Sequence, residues 1–88
     1  MTTMQIELRF FASVREAVGV AGESLALPEG VTTVGAVRDL LIARGGAWAQ
    51  ALGHGRALRM AFDQTMCAAD TLLRDGGEVA FFPPVTGG

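Results

Sequence analysis

One segment of this chain, VGAVRDLLIAR at residues 34–44, repeats its apolar residues at helical spacing for about three turns. Val34, Val37 and Leu41 form the stripe and Leu40 widens it. Thr32 or Thr33 is placed to cap its start, and Gly45-Gly46 ends it. The other apolar runs are shorter, and several alternate with period two. A chain built from one main helix and several strand-length runs has few ways to close a core. The simplest is a sheet laid against that helix.

The strand runs can be placed individually. In MQIELRF, Met4, Ile6, Leu8 and Phe10 face one way, while Gln5, Glu7 and Arg9 face the other. Phe11 follows out of phase with that core set. Ser13 opens the capping-box pattern SVRE with Glu16, and Val14, Ala17 and Val18 give a short helix closed by Gly19. ESLAL puts Leu25 and Leu27 on one face of a second strand, ended by the turn Pro28-Glu29-Gly30. Trp48 and Leu52 suggest another helical turn or two. LRMAF alternates through Leu58, Met60 and Phe62, and Asp63-Gln64 suits a tight turn into a short strand, TMCA. After the turn Asp75-Gly76-Gly77 comes EVAFF, with Val79 and Phe81 on one face and Ala80 and Phe82 on the other. The order β, short α, β, long α, β, β, β does not alternate strictly. The order argues against a doubly wound parallel sheet and is better explained by an α+β domain with a mixed sheet curled around the main helix.

At 88 residues there is room for one domain and one modest core. Half the residues are hydrophobic and the mean hydropathy is +0.37, high for so short a chain, which points to apolar surface serving a partner. No run approaches a membrane span, and MTTMQIELRF lacks the basic-then-apolar pattern of a leader, so a cytoplasmic protein with no membrane partner is expected. The single cysteine, Cys67, fits a reducing compartment. A net charge of −2 without a basic run argues against nucleic acid as a partner. There is no lysine; all seven cationic side chains are arginine.

The end of the chain, EVAFFPPVTGG, carries the chemical argument. Pro83 and Pro84 lack the backbone donor a strand needs and favour an extended path. From Pro83 to Gly88 that path spans roughly 18–20 Å, thinning through Val85 and Thr86 to the bare Gly87 and Gly88. The expected organisation is a folded domain over residues 1–82 and a flexible tail over residues 83–88. A slender tail can enter a narrow tunnel and present its carboxylate there. Adenylation with ATP gives that carboxylate a good leaving group, and glycine leaves the approach unobstructed.

Other candidates carry less. Cys67 lies in strand phase opposite to Met66, on the core side, with no His or Lys placed to activate it. His54, between two glycines, reads as a solvated loop residue. The carboxylates show neither metal-ligand spacing nor an acid/base pair, so no metal and no bound cofactor is expected.

The stretches FFASVREAVG, LRMAFDQTM and LLRDGGEVAFFPPVTGG resemble the small subunit of molybdopterin synthase, and the likeness runs from Met4 to Gly88. The resemblance implies a ubiquitin-like β-grasp fold of about five strands on one main helix with short extra helices. It also implies a sulfur-carrying function. An E1-like adenylating enzyme would activate Gly88 with ATP, and a sulfur donor would convert it to a thiocarboxylate. The carrier would then dock on the large synthase subunit, in an assembly of two large and two small subunits. There it would give sulfur to cyclic pyranopterin monophosphate, two transfers building the dithiolene. Carried over, Gly88 is the reacting residue, Pro83, Pro84, Val85, Thr86 and Gly87 form the inserted tail, and Phe11, Met66 and Phe82 face partners. The chain would be the sulfur-donating part of an enzyme without a catalytic pocket of its own. Two departures stand out, Asp63 where asparagine is common and Gly77 where an acidic residue is usual; both read as backbone matters. A carrier for thiamine or another thiolation pathway, or a ubiquitin-like modifier, remains as the alternative.

Overall fold

The structure is a computed structural model that describes residues 3–84. Residues 85–88, with the Gly-Gly terminus and most of the expected tail, lie outside the described residues.

The chain runs β1 (Gln5–Phe10), α1 (Ala12–Val18), β2 (Gly22–Ala26), α2 (Val34–Ile42), α3 (Gly46–Leu52), β3 (Arg59–Phe62), β4 (Thr65–Met66) and β5 (Glu78–Phe82). The strands form one mixed sheet in the order β2-β1-β5-β3-β4. β1 and β5 lie side by side and parallel at its centre, and the other pairs are antiparallel. The α+β reading therefore holds, with the late strand inserted next to the first.

Register explains which side chains meet. Leu8 pairs with Val79 and Phe10 with Phe81 across β1 and β5, while Met60 pairs with Phe81 and Phe62 with Val79 across β3 and β5. Paired residues share a face, so these side chains together form the inner face. Ile6, Leu8, Phe10, Val79 and Phe81 are at most 1% exposed and pack with Val34, Val37 and Leu41 of α2. The stripe read from α2 is thus the helix side of the core, and the Thr33 hydroxyl is its cap, accepting from the Ala36 N–H at 3.1 Å.

α3 leans Trp48 edge-on against Phe10, with ring centroids 5.4 Å apart, and buries Leu52. Arg38, on α2, binds it there. Its guanidinium donates to the Leu52 and Gly53 carbonyls at 2.7 and 2.9 Å, satisfying acceptors left over where α3 ends. Arg44 lies 4.5 Å over the Trp48 ring and forks onto Glu23 of β2 at 2.8 and 2.9 Å. The Arg44 guanidinium holds the Glu23 carboxyl below its ordinary range, and Glu23 in turn raises Arg44.

Four expectations need correction. The Ser13–Glu16 capping box does not form: the N-cap is Phe11, in extended backbone, and no side chain caps the helix. The Phe11 carbonyl accepts from Val14 and Arg15 N–H, so α1 begins before Ser13 and leaves that hydroxyl inside the first turn. Ala17 is exposed rather than part of a buried stripe: Val14 is buried and Val18 packs half-buried against the core, but Ala17 does not reach it. The strand expected over TMCA stops at Met66, although the Cys67 N–H still bonds the Met60 carbonyl at 3.1 Å. Finally, Gly77 is more than a backbone matter. It is buried, and a Cβ there would lie 2.5–2.6 Å from the edge of the Phe62 ring, which Arg74 covers from 5.7 Å.

Candidate functional site

The outer face of the sheet is where the register collects the expected partner residues. Phe11 leaves β1 in extended geometry and donates its N–H to the Phe81 carbonyl at 3.3 Å, which keeps its side chain opposite to that of Phe10. Phe82, last in β5, is out of phase with Phe81 and has Arg59 as its register partner. Ala80 pairs with Ala61, and Ala61 pairs with Met66. Phe11, Phe82 and Met66 therefore rise around a low floor of two alanines.

Phe11 is 47% and Met66 55% exposed. Phe82, expected like Phe11 to face partners, is half-buried rather than exposed, because Phe11 meets it edge-on with centroids 6.3 Å apart. An exposed ring backed edge-on by a half-buried one, with an exposed thioether on the same face, gives an apolar anchor surface. Leu72, 70% exposed on the long loop before β5, was not singled out by the sequence, since nothing in its spacing marks it.

The tail leaves from the edge of this patch. Pro83 and Pro84 directly follow Phe82 and end the β5 ladder, as their missing donors require. Pro83 also borders a cavity of about 350 Å³ between α1 and α3, shared with Ser13, Ala17, Gln50 and Arg56. Val85, Thr86, Gly87 and Gly88, the remaining expected site residues, lie outside the described residues.

The remaining candidates separate from this site. Cys67 is half-buried against the core. His54 is exposed but has a partner that sequence spacing did not reveal: its Nε2 is 2.7 Å from Oδ1 of Asp39 on α2. Among the described residues, no group of His, Cys, Asp or Glu is arranged to hold a metal ion, and no helix is long and apolar enough to cross a membrane.

Comparison with known proteins resolves the family. Residues 8–88 match the ThiS family. The chain belongs to that family. It is 47% identical over 83 residues to the molybdopterin synthase sulfur carrier subunit of Escherichia coli, covering 94% of this chain and 99% of the relative. The protein of the same name from Haemophilus influenzae is 41% identical with the same coverage. Among solved structures, SAMP1 from Haloferax volcanii superposes with a TM-score of 0.72 at 25% identity, over 96% of this chain and 99% of that one. The ubiquitin-like β-grasp fold expected from the resemblance is the fold observed.

Proposed function

We propose that this chain is the sulfur-carrier small subunit of a molybdopterin synthase. The observation that carries the reading is the position of the tail root: β5 passes through the core and releases Pro83 beside the Phe11–Phe82–Met66 patch. A partner that covers the patch is thereby placed to receive the tail. The near-full-length likeness to the two carrier subunits supports the same reading.

The chemistry follows from a carboxylate. Its pKa of about 3.5 leaves it ionised and unreactive as an acyl donor at neutral pH. An E1-like partner joins the Gly88 carboxylate to the α-phosphorus of ATP, and pyrophosphate leaves. A sulfur donor delivering sulfur at the sulfide level then displaces AMP from the acyl carbon, leaving a terminal thiocarboxylate. The carrier docks on the large subunit with residues 83–88 inserted, and its thiocarboxylate sulfur bonds to a carbon of cyclic pyranopterin monophosphate, displacing an oxygen substituent. Water then cleaves the resulting thioester, leaving sulfur on the substrate and returning the Gly88 carboxylate. A second charged carrier supplies the second sulfur. The pocket and proton-transfer groups belong to the large subunit in this reading, and the carrier contributes the sulfur and the docking face. It binds no cofactor itself, works in the cytoplasm, and assembles as two large and two small subunits.

Deleting Gly88 tests the assignment. The variant is expected to keep its thermal melt and lose all dithiolene formation in a reconstituted synthase reaction. Retained activity would remove Gly88 from the chemistry. Stable isopeptide adducts on other proteins, in place of sulfur transfer, would support the modifier alternative.

A further inference from the structure

The apolar patch alone is non-directional: hydrophobic contact does not distinguish a docked partner from the same partner turned end for end. The charges around it do distinguish the two. On the outer face, the end of the sheet far from the tail is acidic. Glu7 and Glu78 are direct register partners, an arrangement that costs stability because like charges face one another. Ser24 donates its hydroxyl to Glu7 at 2.5 Å, and Arg9 reaches Glu78 only at 4.0 Å. A shallow depression of about 410 Å³ opens at this end; Glu7, Arg9, Ser24 and Glu78 border it from the outer face, and Glu23, register partner of Leu8 and ion-paired to Arg44, from the other.

The tail end is different. Arg59, register partner of Phe82, is exposed and has no ion-pair partner among the described residues. Position 82 lies four residues along β5 from Glu78, about 13 Å at the rise of a strand. That exceeds the screening length of about 8 Å at physiological salt, so the two ends present separate charges to an approaching surface.

We propose that this face is an electrostatic dipole that sets the docking orientation, and that its occupant is a partner surface of matching polarity. The partner places a basic side chain over the Glu7–Glu78 depression and a carboxylate opposite Arg59. The pairing holds Phe82 and the tail root at the mouth of the partner's site and rejects the reversed encounter, in which like charges meet. The inference rests on the large subunit being the partner proposed above.

The test is a charge swap. Glu7→Arg with Arg59→Glu leaves net charge and apolar patch unchanged while reversing the dipole. Association with the purified large subunit is followed by stopped flow against salt. Arg15→Glu, on α1, serves as the control for a charge change away from the face. The swap is expected to slow association at low salt by about tenfold or more, with the deficit shrinking as salt rises, and the control to change it less than about twofold. Should circular dichroism show the swap misfolded, Arg59→Gln decides, with about threefold slower association expected. Association of a folded swap within about twofold of wild type, at every salt concentration, overturns the orientation role. If Phe11→Ala still weakens binding in that case, the carrier reading stands; if the wild type does not bind at all, both fall.

Discussion

Replacing Phe11 by alanine separates docking from folding. The Phe11 backbone caps α1 and joins β5, but its side chain makes no cap hydrogen bond and is 47% exposed. A phenylalanine presents about 200 Å², so roughly 95 Å² remains for a partner to cover. At about 25 cal/mol per Å² that area contributes about 2.4 kcal/mol of binding, or about 50-fold in Kd. The edge contact with Phe82 contributes about 1 kcal/mol to the free protein, which in a domain this size lowers Tm by a few degrees. Isothermal titration of wild type and variant into the large subunit, beside thermal melts of each alone, reads both quantities. A Kd within about threefold of wild type, with the small Tm loss present, would refute the assignment of this face to docking.

Arg38→Met should cost about 2–3 kcal/mol in urea unfolding, because the carbonyls ending α3 lose charged donors, and Arg38→Lys should recover only part of that. The lowered Glu23 carboxyl gives stability that is present above its unfolded pKa of about 4.3 and is lost as pH falls through the lower folded value. Thermal melts from pH 6 downward should therefore show an acid-side loss that Arg44→Gln reduces, by about 1 kcal/mol at most for so exposed a pair. Gly77→Asp should destabilise by about 1–3 kcal/mol through collision with the Phe62 ring, and Phe62→Leu in the same chain should recover part of the loss in denaturant titrations.

Much of this fold is legible in the chain because short-range pattern decides it. The alternation in EVAFF assigns Val79 and Phe81 to the core and Ala80 to the other face, and the register agrees. The α2 stripe and the αL backbone of Gly19, at φ 82°, follow equally from local rules. What the pattern misses is set by groups distant in sequence. The start of α1 depends on the bond from Phe11 to Phe81, 70 residues later, which overrides a good local capping signal. Arg38 reaches across to α3, Asp39 to His54, and Phe62 over Gly77; none leaves a mark at fixed spacing. The candidate site shows the same division. Phase alone puts Phe11 and Phe82 off the core face, but their contact, which half-buries Phe82, comes from β1 lying beside β5.

The claim that the sulfur travels on a terminal acyl group is tested most directly by intact-mass analysis. The carrier is incubated with ATP, the adenylating enzyme and a sulfur donor, and the terminal peptide is then fragmented. The expected product has one oxygen replaced by sulfur, located on Gly88 and formed equally well by Cys67→Ser. An unchanged terminus, or sulfur found on Cys67, the only thiol in the chain, would contradict the account.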